Sequence, residues 1–311
     1  MGQHGKEWFN LANTEMLLGH LTTAVTLVAN VAKKTHHGAT EFMRMALRAA
    51  EAAALHGLGQ RNSAKRLFAK LEREYRRYNR EFSLSGMSGY WFCELLIDEH
   101  SWAAARRHAL QALKLGGASY IPRSRVLDVL TLGRVQLGLV LDRREAKTRY
   151  PNRRDELLRS CAHLNDAIDG LRATGQNDDV PRGLLARAAF CRSIGDWNGA
   201  ARDLDEVEEI AEPGPMRLYL CDMALERARL AFAKFEAFAP LTGLLENDNP
   251  PRPTVPGAQQ IAELKTETEK QLKIAAEYIE KCDYHRRDEA LAELQAVLRG
   301  EKRFADLPPR V

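Results

Sequence analysis

The stretch Trp8-Phe9-Asn10-Leu11-Ala12-Asn13, followed by Gly19 and then by Ala24, Val28 and Val31, reads as two helices joined by a tight turn. Trp8, Leu11 and Ala12 recur at helical spacing and are expected between two antiparallel helices. Gly19 supplies the turn, and the small Ala24 lets the second helix approach the first closely. The same offsets from the turn return along the chain. Gly59 is followed after five, nine and twelve residues by Ala64, Phe68 and Leu71, and Gly195 by Ala200, Leu204 and Val207. His100 stands at a further turn, with Trp102 and then Ala105, Ala109 and Ala112 after it, so the close-contact alanines survive where the glycine does not. Repetition at fixed offsets marks an array of helical hairpins, each burying its apolar face against its neighbours.

This pattern resembles the tetratricopeptide repeat (TPR), although the unit starts near residues 5, 45, 86 and 181 give a period of about 40, longer than the minimal 34. The resemblance implies an all-α fold, a TPR-like α-solenoid: a right-handed superhelix of about six antiparallel helix pairs plus a C-terminal capping helix. The units are expected near 5–38, 40–78, 86–117, 123–175, 181–213 and 215–282, with the cap at 288–299, all within one domain spanning 1–299. The fourth hairpin is stretched by an insertion over 142–154, after which Ser160, Leu164 and Ala167 take the inward positions. The sixth is interrupted by a proline-rich inserted loop at 240–258, because prolines at that density cannot continue a helix. Asp288 is expected to cap a short helix with Leu291, Leu294 and Leu298 on one face, and 300–311 reads as a C-terminal tail. Trp8, Trp91, Trp102 and Trp197 fall at motif or near-motif positions and are expected in the core.

A globular chain of 311 residues suggests about two domains, but stacked hairpins form one elongated body in which each unit touches mainly its neighbours. Apolar residues come at spacings of three and four, and alternating β-branched runs are hard to find. No apolar stretch reaches the roughly 18 residues that a membrane span requires. No signal core follows Gly2-Gln3-His4-Gly5-Lys6-Glu7, so a cytoplasmic protein is expected. The five cysteines, Cys93, Cys161, Cys191, Cys221 and Cys282, are scattered one per segment without a Cys-x-x-Cys pair, which reads as reduced thiols acting as small apolar residues. His36-His37 lacks the i, i+4 spacing of helix-borne metal ligands and reads as a loop. No cofactor or metal is expected.

Phosphate-loop, dinucleotide-binding and zinc-protease motifs are absent, and Ser85-Gly86-Met87-Ser88-Gly89 lacks the preceding strand of a nucleophile elbow. The acidic run Asp203, Asp205, Glu206, Glu208 and Glu209 reads as a solvated helix face. The chain is therefore not expected to be an enzyme. Basic residues cluster at Lys65, Arg66, Lys70, Arg73, Arg76 and Arg77, at Arg106-Arg107, at Arg143, Arg144, Lys147, Arg149, Arg153 and Arg154, and at Arg286-Arg287. Acids are interleaved throughout and the net charge is only +4, so these clusters read as a solubilising surface rather than a nucleic-acid groove. The loop over 143–154, with Tyr150 inside it, is the best local candidate for nucleic acid.

Beyond the general repeat, several segments resemble one bacterial TPR group. They include Gly89-Tyr90-Trp91-Phe92-Cys93-Glu94, Pro181-Arg182-Gly183-Leu184-Leu185-Ala186-Arg187-Ala188 and Tyr284-His285-Arg286-Arg287-Asp288. In that group such a region often forms the carboxy-terminal, ligand-sensing part of larger signal-transducing NTPases of the STAND type. This chain contains no nucleotide-binding domain, so ATP hydrolysis is not carried over. The TPR resemblance also implies a concave groove lined by the first helix of each unit. Its lining would include Phe9, Asn13, Met16, His56, Tyr90, Glu94, Asp98, Arg134, Arg182, Arg192, Tyr219, Glu226 and Arg227. Asn13 would suit a peptide backbone, and Arg134, Arg182 and Arg192 would receive carboxylates through forked hydrogen bonds. The expected function is a non-enzymatic scaffold or ligand-sensing module that binds a protein or peptide in this groove. It would pass the event to a partner NTPase or effector domain, or to another copy of itself, without a membrane. The alternatives are a nucleic-acid-associated protein using the 143–154 loop and an enzyme with an unrecognised site in the groove.

Overall fold

The computed structural model describes residues 3–34, 41–78, 84–116, 122–142, 153–175, 177–238, 240–241 and 256–311, and every regular element among them is helical. Six helix pairs follow one another: α1 (Gln3–Leu17) with α2 (Leu21–Lys34), α3 (Glu41–Gly57) with α4 (Arg61–Tyr78), and α5 (Gly86–Asp98) with α6 (Trp102–Gly116). Then come α7 (Pro122–Leu141) with α8 (Arg153–Ala173), α9 (Val180–Ile194) with α10 (Trp197–Ala211), and α11 (Arg217–Phe235) with α12 (Ala258–Cys282). A last helix, α13 (Asp288–Leu298), packs on α12 and α11.

The pairs turn where the backbone goes left-handed. Gly19 and Gly195 have φ of +85° and +89°, and His100 takes the same region at +54° despite its side chain, a conformation that ends a helix by redirecting its last carbonyls. Asp196 then starts α10 by accepting a 2.8 Å hydrogen bond from the Gly199 amide, which satisfies a donor that the first turn leaves open.

Each helix packs on its pair-mate and on the next pair, so the stack follows the chain as in an α-solenoid. The odd-numbered helices also touch in series, α1 to α3 to α5 to α7 to α9 to α11, and α11 returns to touch α1. The inner helices therefore close into a ring. At the closure the Arg217 side chain donates to the Leu18 carbonyl at 2.9 Å. Gly19 packs so tightly that a Cβ there would lie 2.4 Å from the Cys282 sulfur. Inner helices covered on both sides must be apolar around most of their circumference, and α7 shows it: Leu127, Leu130, Val135, Leu137, Leu139 and Val140 are all fully buried. Each contributes about 1.5–3 kcal/mol by leaving water. Trp102 is buried against Gly138 and donates its indole hydrogen to Asp142 at 3.1 Å.

Three expectations are corrected. Trp8 and Leu11 are 38% and 40% exposed, on a face of α1 that no described helix covers, whereas Trp91 and Trp102 are buried. Asp203 is buried and forks with Arg187 at 2.7 and 2.9 Å instead of facing water. The segment over 300–311 is not a free tail. Phe304 is buried against Phe232 and Phe238, and its amide donates to Glu236 at 2.8 Å. Most of the 143–154 loop, most of the proline-rich 240–258 insertion and the His36-His37 pair lie outside the described residues. Among the described residues no helix is long and apolar enough to cross a membrane.

Candidate functional site

The ring of inner helices encloses a cavity of about 150 Å³. Helix α5 sends in Tyr90, Glu94 and Asp98, which share one face at successive four-residue steps. Helix α7 contributes Arg134, α9 contributes Arg182, and α11 contributes Tyr219, Asp222, Glu226 and Arg229. From α1 come Asn13 and Met16. Two parts from the end of the chain complete the lining: Arg286 and Arg287 from the turn before α13, and Pro309, Arg310 and Val311.

The cavity wall thus carries six arginines and four side-chain carboxylates. Each of the four is engaged. Glu94 accepts from Arg134 on one oxygen and from Arg286 on the other, the latter at 2.7 Å. Asp98 accepts from Arg286 and lies 3.7 Å from Arg287. Asp222 forks with Arg287 at 2.6 and 2.9 Å, and Glu226 binds Arg192 at 2.5 Å and Arg229 at 3.3 Å. Burial alone would raise the Asp98 pKa, but Arg286, then the adjacent His56 and Arg287 outweigh it, and the carboxyl is held well below the usual range. Burial pulls the Arg229 guanidinium down to about 10 against the attraction of Glu226, so it stays charged at neutral pH.

His56 stands one layer behind. Its Nε2 lies 3.0 Å from Asp98 Oδ2 but off the line of a hydrogen bond. Burial, and next the nearby Arg286, lower its pKa to about 4 against the pull of Asp98, so it is neutral at pH 7.

Residues 309–311 occupy part of the channel. Arg134 donates to the Val311 carbonyl through Nη2 at 2.8 Å and Nε at 3.3 Å, while its Nη1 holds Glu94 and reaches the Tyr90 hydroxyl at 3.3 Å. Arg310 pairs with Glu293 at 3.1 Å.

Of the residues expected in the groove, Asn13, Met16, Tyr90, Glu94, Asp98, Arg134, Arg182, Tyr219 and Glu226 are brought together around the cavity. Phe9 stands beside it, its ring 5.5 Å from that of Trp91. His56 backs Asp98, and Arg192 backs Glu226 beneath the Phe304 ring. Arg227 is not part of the site: it turns outward to Asp205 and Glu208 on α10, at 2.7 and 2.9 Å.

Sequence reasoning missed Asp222, Arg229, Arg286 and Arg287. The first two were accessible to it, since Asp222, Glu226 and Arg229 follow at steps of four and three on one helix face. Arg286 and Arg287, read as surface charge, are instead buried ion-pair partners.

With every lining carboxylate tied to a guanidinium, the polar capacity left in the cavity is chiefly donor capacity. Among the described residues no three metal-ligating side chains gather. No protein-family model matches the chain, and a comparison with curated proteins gives no match.

Proposed function

We propose that the chain is a non-enzymatic, TPR-like binding module whose channel takes an extended, acidic stretch of polypeptide. The observation that carries this reading is the seating of residues 309–311 in the channel, with the main-chain oxygen of Val311 gripped twice by Arg134. Leading into it, Leu307 has the extended backbone of φ −70° and ψ 149°. A channel that holds an extended segment through main-chain oxygens holds others of similar course, with selectivity left to pockets for side chains. The surplus of guanidinium over carboxylate in the lining favours an acidic guest.

Binding acts on the ring as well as on the guest. A peptide that replaces residues 309–311 loosens the packing of Phe304 on α11, and α11 is the helix that closes against α1. This couples occupancy to the ends of the solenoid, as a ligand-sensing part of a signalling assembly requires.

The test is selection of the full chain against a display library of random nonapeptides. Enriched peptides rich in Asp and Glu, whose binding falls on Arg134→Gln and rises on Phe304→Ala, are the expected result. A library with no enrichment, or binders indifferent to both substitutions, would refute the reading.

A further inference from the structure

The arginines around the channel differ in what they have left to give. Arg134 spends Nε, Nη1 and Nη2 on Val311, Glu94 and Tyr90. Arg286 and Arg287 each face two carboxylates. Arg182 is otherwise. Its Nε donates to Asp179 at 3.1 Å, which fixes the direction of the guanidinium, while neither Nη group makes a hydrogen bond among the described residues. The side chain is only 10% exposed, and what remains open faces the cavity.

The surroundings hold this group in place and leave it electrically short. The guanidinium carbon lies 5.0 Å from the centre of the Tyr90 ring and 5.4 Å from that of Tyr219, so two aromatic faces restrain its plane. Its partner Asp179 is fully buried and shared with Arg123, which donates to it at 2.5 Å. One negative charge thus serves two positive ones. Tyr219, whose ring lies under this guanidinium, lines the same cavity, and its hydroxyl is buried without a hydrogen-bond partner. Unpartnered buried donors are rare because each forfeits its water without replacement.

We infer that Arg182 and the Tyr219 hydroxyl form a receptor for one carboxylate group of the guest. Two Nη donors on a planar fork match the two oxygens of a carboxylate, and the phenol supplies a third donor. A cavity of about 150 Å³, the size that accepts a benzene molecule, has room for the carboxyethyl arm of a glutamate. The inference rests on the peptide-binding reading for the source of that carboxylate. The same chemistry is also presented by a free dicarboxylate.

The experiment uses the full chain, a selected acidic nonapeptide, and glutarate with glutaramide as its uncharged control. In calorimetric titrations, each acidic residue of the peptide is replaced by its amide against wild type and Arg182→Gln. One position is expected to lose roughly tenfold to a hundredfold in affinity in wild type and almost nothing in the variant. Equal losses in both proteins at every position would overturn the inference while leaving peptide binding intact. If no peptide binds but glutarate raises the melting temperature of wild type and not of Arg182→Gln, the receptor stands, its ligand is the free acid, and the peptide reading falls. Tyr219→Phe guards against misfolding of the arginine variant, since it removes only a hydroxyl without a partner. It is expected to melt no lower than wild type and to bind the carboxylate severalfold more weakly. Unchanged carboxylate affinity in Tyr219→Phe would overturn the assignment.

Discussion

Lowering the pH from 8 to 5 should destabilise the ring by about 2 kcal/mol through His56 alone, from a native pKa of about 4 and an ordinary value near 6.5. His56 is 2% exposed, and the charges facing it are Asp98, Arg286 and Arg287. Because the native pKa is depressed, the unfolded chain takes up a proton on this imidazole between about pH 6.5 and 4 while the native chain does not. Stability is therefore highest above the unfolded value and declines through that window as acid is added. Asp98, whose carboxyl is held low, keeps its full contribution until the pH approaches its unfolded value of about 3.9, so it does not contaminate the measurement. Burial also lowers the half-buried His100 and His163, and they add in the same direction. The decisive quantity is accordingly the difference between wild type and His56→Gln. Urea denaturation at pH 8, 7, 6 and 5 should give the variant a shallower fall by about 2 kcal/mol over that range. The packing cost of the substitution appears equally at every pH and cancels. An identical slope in the two proteins, or an imidazole that titrates above pH 6 in the native state, would refute the reasoning.

Phe304→Ala should cost about 3 kcal/mol and expose the amides of Phe304 and Ala305 that Glu236 now binds, seen as faster hydrogen exchange that is greatest over residues 303–311 and extends to the contact of α11 with α1. Gly138→Ala would place a methyl 2.5 Å from the Trp102 ring, and a loss of about 1–3 kcal/mol in chemical denaturation is expected for such overpacking. Among the thiols, Cys161 is half-buried while Cys93, Cys191, Cys221 and Cys282 are buried, and burial raises the Cys191 thiol to about 12. Mapping by mass spectrometry after brief treatment with a thiol reagent should find Cys161 labelled first, with the other four following only on unfolding.

The hairpin register was legible because it depends on local chemistry. Gly19, Gly59 and Gly195 sit at turns whose backbone has positive φ, and His100, placed by the same offset, adopts it too. The face of each inner helix was legible for a related reason: Tyr90, Glu94 and Asp98, or Asn13 and Met16, share a side by helical geometry alone. What local pattern cannot supply is the accumulated rotation from unit to unit, which sets where the two ends of a solenoid meet. Closure of α11 on α1, and the burial of Arg286 against Asp98 across 188 positions of sequence, follow from that sum. So do the seating of residues 309–311 in the channel and the exposure of Trp8 on a face of α1 left open among the described residues.

The composition of the channel argues against a purely structural role for it. Burying ions costs several kcal/mol each before pairing returns some of it, and a buried pair commonly does no better for stability than apolar residues of the same volume. This chain makes apolar interiors readily, as the leucines and valines of α7 show. Yet its central cavity is walled with paired Glu94, Asp98, Asp222 and Glu226, and among them Arg182 keeps donors unspent. Such pairs hold guanidinium groups at fixed positions in a poorly hydrated space, where an entering carboxylate meets donors already oriented and loses little entropy in aligning them. On this view the ion pairs are the positioning framework of a receptor. Under the proposed binding role, the stability forgone by their burial is the counterpart of charge discrimination in the channel.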